Sequence, residues 1–335
     1  MTSIGWMLLA AGLAAAVLVF EYLLPGPAAR FWIGLERRRA GLALKRQRLA
    51  GGIEMPYLDG GRGEALLLVH GFGGDKDNFT RIAGVLRRHC RVIVPDLPGF
   101  GDASRDAQAG HTIADQVERL HAFAAALGLH TFHLGGNSMG GFIAAEYAAR
   151  HPQQVESLWL IDPAGTAAAQ DTPMVRQYLA GGDFPLLLGS TDGIDTLLEA
   201  IASKPPLLPP SVKTVLARRA VADHALHRRI LDEVAHASPT LEDRLPRITA
   251  PTLVVWGADD RVLSPRGAEV LHERLPRSRV VLMPGIGHVP MMEAPRATAA
   301  DYLRFRADLR AARASGCEAP STGPAPSATL RQAGS

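Results

Sequence analysis

The sequence predicts an α/β protein in which a mostly parallel sheet is flanked by helices. Residues 53–313 alternate short β-rich runs with helical patterns, and residues 165–250 interrupt that alternation without a convincing strand. An uncharged apolar run at residues 4–20 precedes both. Because 47% of the 335 residues are hydrophobic, the chain can bury a large core. We therefore expect a globular α/β core, a helical insertion and an N-terminal apolar helix.

The N-terminal apolar run extends from Ile4 towards Pro25 with Glu21 as its only charge. About 20 residues at the helical rise cover the roughly 30 Å hydrocarbon core of a bilayer. The run has no basic residue before it and is longer than a usual signal sequence. Residues 4–24 are therefore predicted to form a single-pass transmembrane helix. The small residues at Ala14–Ala16 leave cleavage open as the alternative.

Small residues recur at helical spacing in this segment, at Gly5, Gly12 and Ala16. Such spacing lets two helix backbones approach closely in lipid. The pattern predicts a homodimer formed through the transmembrane helix.

A basic segment follows. Phe31, Leu35, Leu42 and Leu49 recur at intervals of four and seven among arginines and lysines. This predicts an amphipathic helix over residues 27–50 that lies on an anionic lipid surface, the alternative being a solvated connector. Residues 1–48 carry seven basic and two acidic side chains, so the remaining 287 residues carry −2 of the chain's net +3. That balance argues against a nucleic-acid partner.

The core is predicted to comprise residues 53–164 and 251–313. Buried strands alternating with helices are typical of a parallel sheet covered on both faces. The predicted strands are Ala65–Val69, Arg91–Pro95, Phe132–Leu134, Ser157–Ile161, Thr252–Trp256 and Arg279–Leu282. The predicted helices are Asn78–Arg88, Thr112–Leu127, Met139–Arg150 and Gly267–Leu275.

Residues 165–250 contain apolar helical runs with proline-rich joints, which predicts a lid over the active edge of the sheet. These runs are Met174–Leu179, Thr196–Ile201, Val212–Val221 and Leu226–Val234. Residues 315–335 are rich in Ser, Pro, Gly and Ala and are predicted to be disordered. The two cysteines, Cys90 and Cys317, match neither a disulfide framework nor a thiolate metal site. We predict no cofactor and no metal.

A G-x-S-x-G motif at 136–140 marks a candidate nucleophile. It follows an apolar strand and opens a helical segment, so Ser138 would occupy a strained strand-to-helix turn. Small neighbours such as Gly136 and Gly140 are needed because the turn leaves no room for side chains. The hydroxyl would then project at a helix N-terminus, whose dipole favours developing negative charge.

A serine nucleophile needs a base, and the base needs an orienting acid. His288 lies in a glycine-flanked loop after the last predicted strand, and Asp260 follows the strand before it. Asp260 is the preferred acid because its distance from the strand end lets the side chain turn back towards the histidine. Asp259 and Asp162 remain the alternatives.

The loop at 70–74, His70-Gly71-Phe72-Gly73-Gly74, follows a predicted strand where an oxyanion donor is required. The backbone N–H groups of Phe72 and Met139 are the candidate donors, each contributing about 3 kcal/mol to lowering the barrier. A flexible glycine turn is the alternative reading. His70 and Gly71, with Gly136, Asn137 and Gly140 of the elbow, would support the site.

Taken together, these motifs resemble the α/β-hydrolase superfamily over residues 53–313. Within it, the chain resembles the membrane-anchored monoacylglycerol-lipase and bacterial phospholipase A branch. That resemblance implies a membrane-anchored serine hydrolase that cleaves acyl esters of lipids through an acyl-enzyme. The motifs are HGFGGDKDNF at 70–79, PDLPGFG at 95–101, DQVERLHAF at 115–123, GNSMGG at 136–141, IDPAG at 161–165, WGADDRV at 256–262 and GIGHVPMMEAP at 285–295.

Two other functions remain open from the sequence. GNSMGG also occurs in hydrolases that cleave carbon–carbon bonds of ring-cleavage dienones, and a hydrolase fold can serve as a non-enzymatic receptor. The favoured substrates are monoacylglycerol, lysophospholipid or phospholipid. The basic run after the membrane helix favours a cytoplasmic catalytic domain, whereas the resemblance to periplasm-facing bacterial enzymes favours the opposite side.

Overall fold

One sheet of eight strands forms the centre of the protein in the computed structural model, which describes residues 3–106, 108–237 and 240–315. In chain order the strands are β1 (Ala43–Arg48), β2 (Glu54–Gly60), β3 (Ala65–Val69), β4 (Arg91–Pro95), β5 (Phe132–Asn137), β6 (Val155–Ile161), β7 (Thr252–Gly257) and β8 (Ser278–Met283). Their order across the sheet is β1-β2-β4-β3-β5-β6-β7-β8. The β1–β2 and β2–β4 pairs are antiparallel, and all other neighbouring pairs are parallel. The predicted fold class is confirmed.

The α-helices in chain order are α1 (Ser3–Leu23), α2 (Pro25–Arg39), α3 (Thr80–Leu86), α4 (Ile113–Ala126), α5 (Met139–Arg150), α6 (Ala167–Gln170), α7 (Pro173–Leu179), α8 (Ile194–Ile201), α9 (Pro210–Ala222), α10 (His224–Asp232), α11 (Arg266–Arg274), α12 (Pro290–Glu293) and α13 (Pro295–Ala314). Helices α4, α5 and α11 cover one face of this sheet, and α3 and α13 cover the other. Buried residues of α4, α5 and α11 share one apolar cluster, and those of α3 and α13 share the other.

Strands β3 and β7 are fully buried and almost wholly apolar, because both faces of the sheet are covered there. Along β3, Leu67 and Val69 join the cluster of α4 and α5, whereas Leu66 and Leu68 join that of α3 and α13. All six predicted strands are present, with ends within three residues of those observed.

The helix predicted over residues 27–50 is wrong in its second half. Helix α2 ends at Arg39, Gly41 adopts a positive φ of 65°, and Ala43–Arg48 is the edge strand β1. A positive φ costs glycine little and turns the chain out of the helix. Ion pairs then fix β1 on β2, since Lys45 lies 2.7 Å from Asp59 and Arg46 contacts Glu54.

Helix α1 is long and apolar enough to cross a membrane, and none of its most apolar window is buried inside the protein. Its last turn contacts the rest of the chain. The rings of Phe20 and Phe31 lie 6.1 Å apart, and the Glu21 carboxylate accepts hydrogen bonds from Trp32 Nε1 and from Ser211 N. The end of this helix is therefore held against α2 and α9.

The connection between β6 and β7 carries helices α6 to α10, and its described residues form no strand. The helical insertion predicted for residues 165–250 coincides with this connection. Helix α9 packs along α2 and contacts α1. Residues 316–335, which include Cys317 and most of the predicted disordered tail, lie outside the described residues.

Candidate active site

Ser138 lies at the sharp turn between β5 and α5. Its backbone has φ 57° and ψ −122°, a conformation that non-glycine residues rarely adopt. A Cβ on Gly136 would lie 2.1 Å from the carbonyl oxygen of Gly140, and a Cβ on Gly140 would lie 2.2 Å from that of Val69. Only glycine fits at these two positions, and the turn holds Ser138 at the start of α5.

His288 and Asp260 form a buried pair. His288 Nδ1 lies 2.8 Å from Asp260 Oδ2, and both side chains are at most 4% exposed. Asp260 Oδ2 also accepts from Trp256 Nε1 at 3.1 Å, while its Oδ1 accepts from the backbone N–H groups of Val262 and Leu263 at 2.8 and 3.1 Å. The carboxylate is thus fixed in place. Because Nδ1–H donates to it, Nε2 is the nitrogen left to accept a proton.

The two alternative acids occupy different surroundings. Asp259 is exposed, and its backbone N–H donates to the carbonyl of Ile286. Asp162 is fully buried after β6, where its carboxyl group lies beside Asp260 and His288. Of the three aspartates, Asp260 is the one hydrogen-bonded to the imidazole.

Ser138 and His288 line one cavity of about 150 Å³. Asn137, next to Ser138, connects the serine turn with the end of β6 and with the histidine loop. Its Nδ2 donates to the carbonyl of Ile161 at 3.1 Å and to that of His288 at 3.0 Å. The backbone N–H of His288 donates to the carbonyl of Ile201, at the end of α8, at 2.8 Å. The serine turn, the histidine loop and the helical insertion are therefore held together by hydrogen bonds.

The loop at 70–74 packs on the serine turn, because a Cβ on Gly71 would lie 3.0 Å from that of Ser138. His70 holds this loop: its Nδ1 donates to the Gly71 carbonyl at 2.8 Å, and its Nε2 accepts from the Leu97 N–H at 3.0 Å. Burial lowers the pKa of His70 to about 4, so the ring is neutral at pH 7. Within the described part of the chain, the N–H groups of Phe72 and Met139 have no carbonyl partner. Both N–H groups therefore meet the requirement that the donors of an oxyanion hole be free to bind the oxyanion.

The rest of the cavity wall comes largely from the helical insertion. Sequence reasoning missed Arg219 and His227, because the packing of the insertion helices is not encoded in local spacing. The ring of His227 packs on Phe72 and Phe100, with centroids 5.7 and 5.0 Å apart. Asn78 was also missed, although it lies within the quoted 70–79 motif. The apolar wall residues are Leu186, Ile194, Leu197, Leu198, Ile201, Leu208, Leu216 and Ala220.

Two clusters of described residues have ligand atoms close enough to hold a metal ion. One is Asp162, Asp260 and His288, whose hydrogen bonds are given above. The other is Glu64, His133 and Glu156 at the opposite ends of the parallel strands. Its carboxylates already pair with arginines, at 2.7 Å for Arg306, 2.6 Å for Arg310 and 3.0 Å for Arg313. Those charges oppose binding of a divalent cation.

Comparison with known proteins identifies the family. A family model for the alpha/beta hydrolase fold matches residues 64–295. Lipase 3 of Moraxella sp. (strain TA144) is 41% identical over 284 residues, which cover 83% of this chain and 89% of that lipase. Monoacylglycerol lipase abhd6-A of Xenopus laevis is 31% identical over 261 residues, covering 75% of this chain and 77% of that enzyme.

A solved structure is also similar. The crystal structure of a bacterial membrane phospholipase A, described as a virulence factor, superposes with a TM-score of 0.83 at 41% identity. The match covers 91% of this chain and 98% of that chain.

The fold and the match over residues 64–295 define an α/β hydrolase, and the chain belongs to that family. It is an ester hydrolase related to lipases and to a membrane phospholipase A. The resemblance drawn from the sequence motifs is confirmed.

Proposed function

We propose that the protein is a membrane-anchored serine hydrolase that cleaves acyl esters of lipids through a triad of Ser138, His288 and Asp260. The observation that carries the proposal is the 2.8 Å contact between His288 Nδ1 and Asp260 Oδ2, beside a serine in a strained strand-to-helix turn. Ser138, His288 and the loop at 70–74 line one cavity.

The geometry supports acyl transfer in two steps. Ser138 Oγ attacks the ester carbonyl while His288 Nε2 takes its proton and then passes it to the leaving alcohol. Asp260 keeps the imidazole in the tautomer with hydrogen on Nδ1 and stabilises the imidazolium that forms. Water then hydrolyses the acyl-enzyme by the same route. The N–H groups of Phe72 and Met139 would donate to the oxyanion of each tetrahedral intermediate.

The cavity walls support a lipid acyl chain as the group transferred. Leucine, isoleucine and alanine side chains of the insertion line much of the cavity, and apolar walls favour burial of a hydrocarbon chain. Charged and polar residues also line it, among them Asp75, Asn78 and Arg219. The names of the relatives point to monoacylglycerols and phospholipids as substrates. The insertion would act as the lid.

Helix α1 would anchor the enzyme in its membrane. Its apolar surface is exposed along the helix, and Gly12 and Ala16 lie on it without neighbours that cover them. We propose that α1 spans the bilayer once and that these small residues pair with a second copy of the helix.

The test is a lipid panel assayed with the full-length protein in detergent. Ser138→Ala, His288→Ala and Asp260→Asn should each lose ester turnover by a factor on the order of 10⁴, because the three groups act as one unit. Asp259→Asn removes an adjacent exposed carboxylate and should retain wild-type turnover. Retained turnover by Ser138→Ala would refute the serine mechanism, and cleavage of a dienone but of no lipid ester would favour the carbon–carbon hydrolase.

A further inference from the structure

Asp162 is a buried carboxyl group that the proposed mechanism does not use. It follows β6 with a φ of 43°, in the left-handed region that favours glycine. Its N–H donates to the Val255 carbonyl at 2.9 Å, and its Oδ1 accepts from the Gly257 N–H at 2.8 Å. These bonds hold the carboxyl group beside the loop that carries Asp260. Strained backbone conformations of this kind cluster at functional sites, which points to a functional role for Asp162.

Two carboxyl groups share this site with one imidazole. One oxygen of Asp162, one of Asp260 and a ring nitrogen of His288 all lie within 4.8 Å of one another. Asp162 is fully buried, and the Asp260 side chain is 0% exposed. Among the described residues, neither carboxyl group forms an ion pair with a lysine or an arginine. Two carboxylates in such a site cannot both be ionised at moderate cost, so one of them must keep a proton.

The hydrogen bonds indicate which one keeps it. Asp260 accepts from four donors, all named above, whereas Asp162 accepts from one, and its Oδ2 has no donor in the described part of the chain. Burial and the charge of Asp260 raise the pKa of Asp162 well above its ordinary value, and the Glu293 carboxylate acts in the same direction. The titratable groups that face Asp162 are therefore Asp260, His288 and Glu293.

We propose that Asp162 stays a neutral carboxylic acid in the working enzyme and that its O–H donates a hydrogen bond to Asp260. It is then a positioning residue, and the inference rests on Asp260 being the triad acid. The bond fixes the carboxylate that holds His288, and a single negative charge faces the imidazole. No proton leaves Asp162 during the reaction. A second charge there would repel Asp260 and hold the catalytic proton on His288 too strongly.

Asp162→Asn tests the proposal, because the amide has the same shape, is neutral and still has a donor. We expect its kcat and KM to stay within about threefold of wild type, against the loss on the order of 10⁴ for Asp260→Asn. Asp162→Ala removes the donor and should lower kcat about tenfold at unchanged KM. A loss by Asp162→Asn as large as that of Asp260→Asn would show that Asp162 works as an anion and would overturn the proposal.

The second measurement is thermal stability against pH, which does not depend on turnover. An acid whose folded pKa is raised contributes full stability below its unfolded value near 3.8, and that stability is lost as pH rises through the folded pKa. The Tm of Asp162→Asn minus that of wild type should therefore rise with pH and then level off. The exposed Asp259→Asn is the matched control and should show a constant difference.

The two arms separate this inference from the proposed function. A constant Tm difference for Asp162→Asn would refute the neutral acid, whatever the activity data show. If Ser138→Ala retains turnover, the serine mechanism fails, while the Tm curves still decide the protonation of Asp162. When kcat is measured against pH, wild type should also lose kcat at alkaline pH where Asp162→Asn retains it. If kcat falls identically at alkaline pH in the two proteins, the positioning role is contradicted.

Discussion

Lys76 is the most deeply buried cation close to the candidate site. Its side chain is 0% exposed, and its Nζ lies 2.7 Å from both Asp96 and Asp102. Burial alone would lower the pKa of this lysine, but the charges of Asp96, Asp75 and Asp77 outweigh burial and raise it. The ammonium group is therefore charged. It connects the segment after the loop at 70–74 with the loop that follows β4.

Replacing Lys76 should be costly because it leaves the buried carboxylate of Asp96 without its cationic partner. We expect Lys76→Met to lower the free energy of unfolding by about 3–5 kcal/mol, as measured by denaturant titration. Lys76→Met combined with Asp96→Asn should recover part of that loss, since one uncompensated charge is removed. Lys204→Met, the same change at an exposed site, is the control. If Lys76→Met alone were as stable as wild type, the charged Lys76 would not contribute to the stability of the fold.

At the scale of single residues, the sequence predicts those site positions that follow strands. Ser138, Asp260 and His288 each come after a parallel strand, and the carboxyl ends of such strands meet at one edge of the sheet. Lys76 and His227 have no such signal. Their environments depend on contacts between segments far apart in the chain, such as the packing of His227 on Phe100.

At the scale of elements, helix α1 and the insertion share a buried contact. Glu21 in the last turn of α1 accepts a hydrogen bond from the Ser211 N–H at 3.0 Å, in the first turn of α9. The first N–H groups of a helix have no partner within the helix. A carboxylate at that end also interacts favourably with the helix dipole. Glu21 thus caps α9 from another element, which accounts for an acid in an otherwise apolar helix.

Glu21→Ala should loosen the start of α9. We expect amide hydrogen exchange to become faster over residues 211–214 in detergent micelles, by about fivefold for a lost cap of about 1 kcal/mol. Glu36→Ala is the control. Glu36 in α2 pairs at the surface with Arg81 at 3.2 Å, so its removal leaves the Glu21 cap of α9 in place. Exchange at residues 211–214 that matches wild type in Glu21→Ala would show that the contact contributes nothing.

The elements that the sequence predicts well are the buried parallel strands, whose continuous apolar runs are a local signal. Strand β1 is the counterexample. Five of its six residues are exposed, so it has no apolar face, and Leu42 and Leu49 on either side of it imitate a helical repeat. What makes the segment a strand is its pairing with β2, from Ala43 with Asp59 to Arg48 with Glu54. No pattern within residues 43–48 records that pairing.

At the scale of the molecule, helix α1 connects with the candidate site through α2. Arg37 Nε donates to Asp77 Oδ1 at 2.6 Å, next to Lys76 in the segment that follows the loop at 70–74. Arg219 of α9 lies 2.8 Å from Asp102, which also binds Lys76. Ion pairs therefore link α2, this segment and the insertion into one network. If α1 spans a bilayer as proposed, its position there would affect the candidate site through this network.

The last prediction concerns the proposed pairing of α1 with a second copy. Close contact of helices in lipid depends on packing of small residues, so leucines at those positions should hold the backbones apart. Membranes containing the full-length protein should keep it through a high-salt wash, and crosslinking in them should give a dimer. Gly12→Leu with Ala16→Leu should lower the crosslinked fraction about fivefold, equivalent to about 1 kcal/mol.

The matched control is Met7→Phe with Ala10→Leu, since at about 100° per residue each of these positions lies about 120° or more around α1 from both Gly12 and Ala16. This variant adds comparable bulk to the helix and should crosslink like wild type. Loss of the dimer in both variants would indicate a general disturbance of the helix instead of a specific interface. Undiminished crosslinking in the Gly12 and Ala16 variant, or a wild-type protein that crosslinks only as a monomer, would refute pairing through α1.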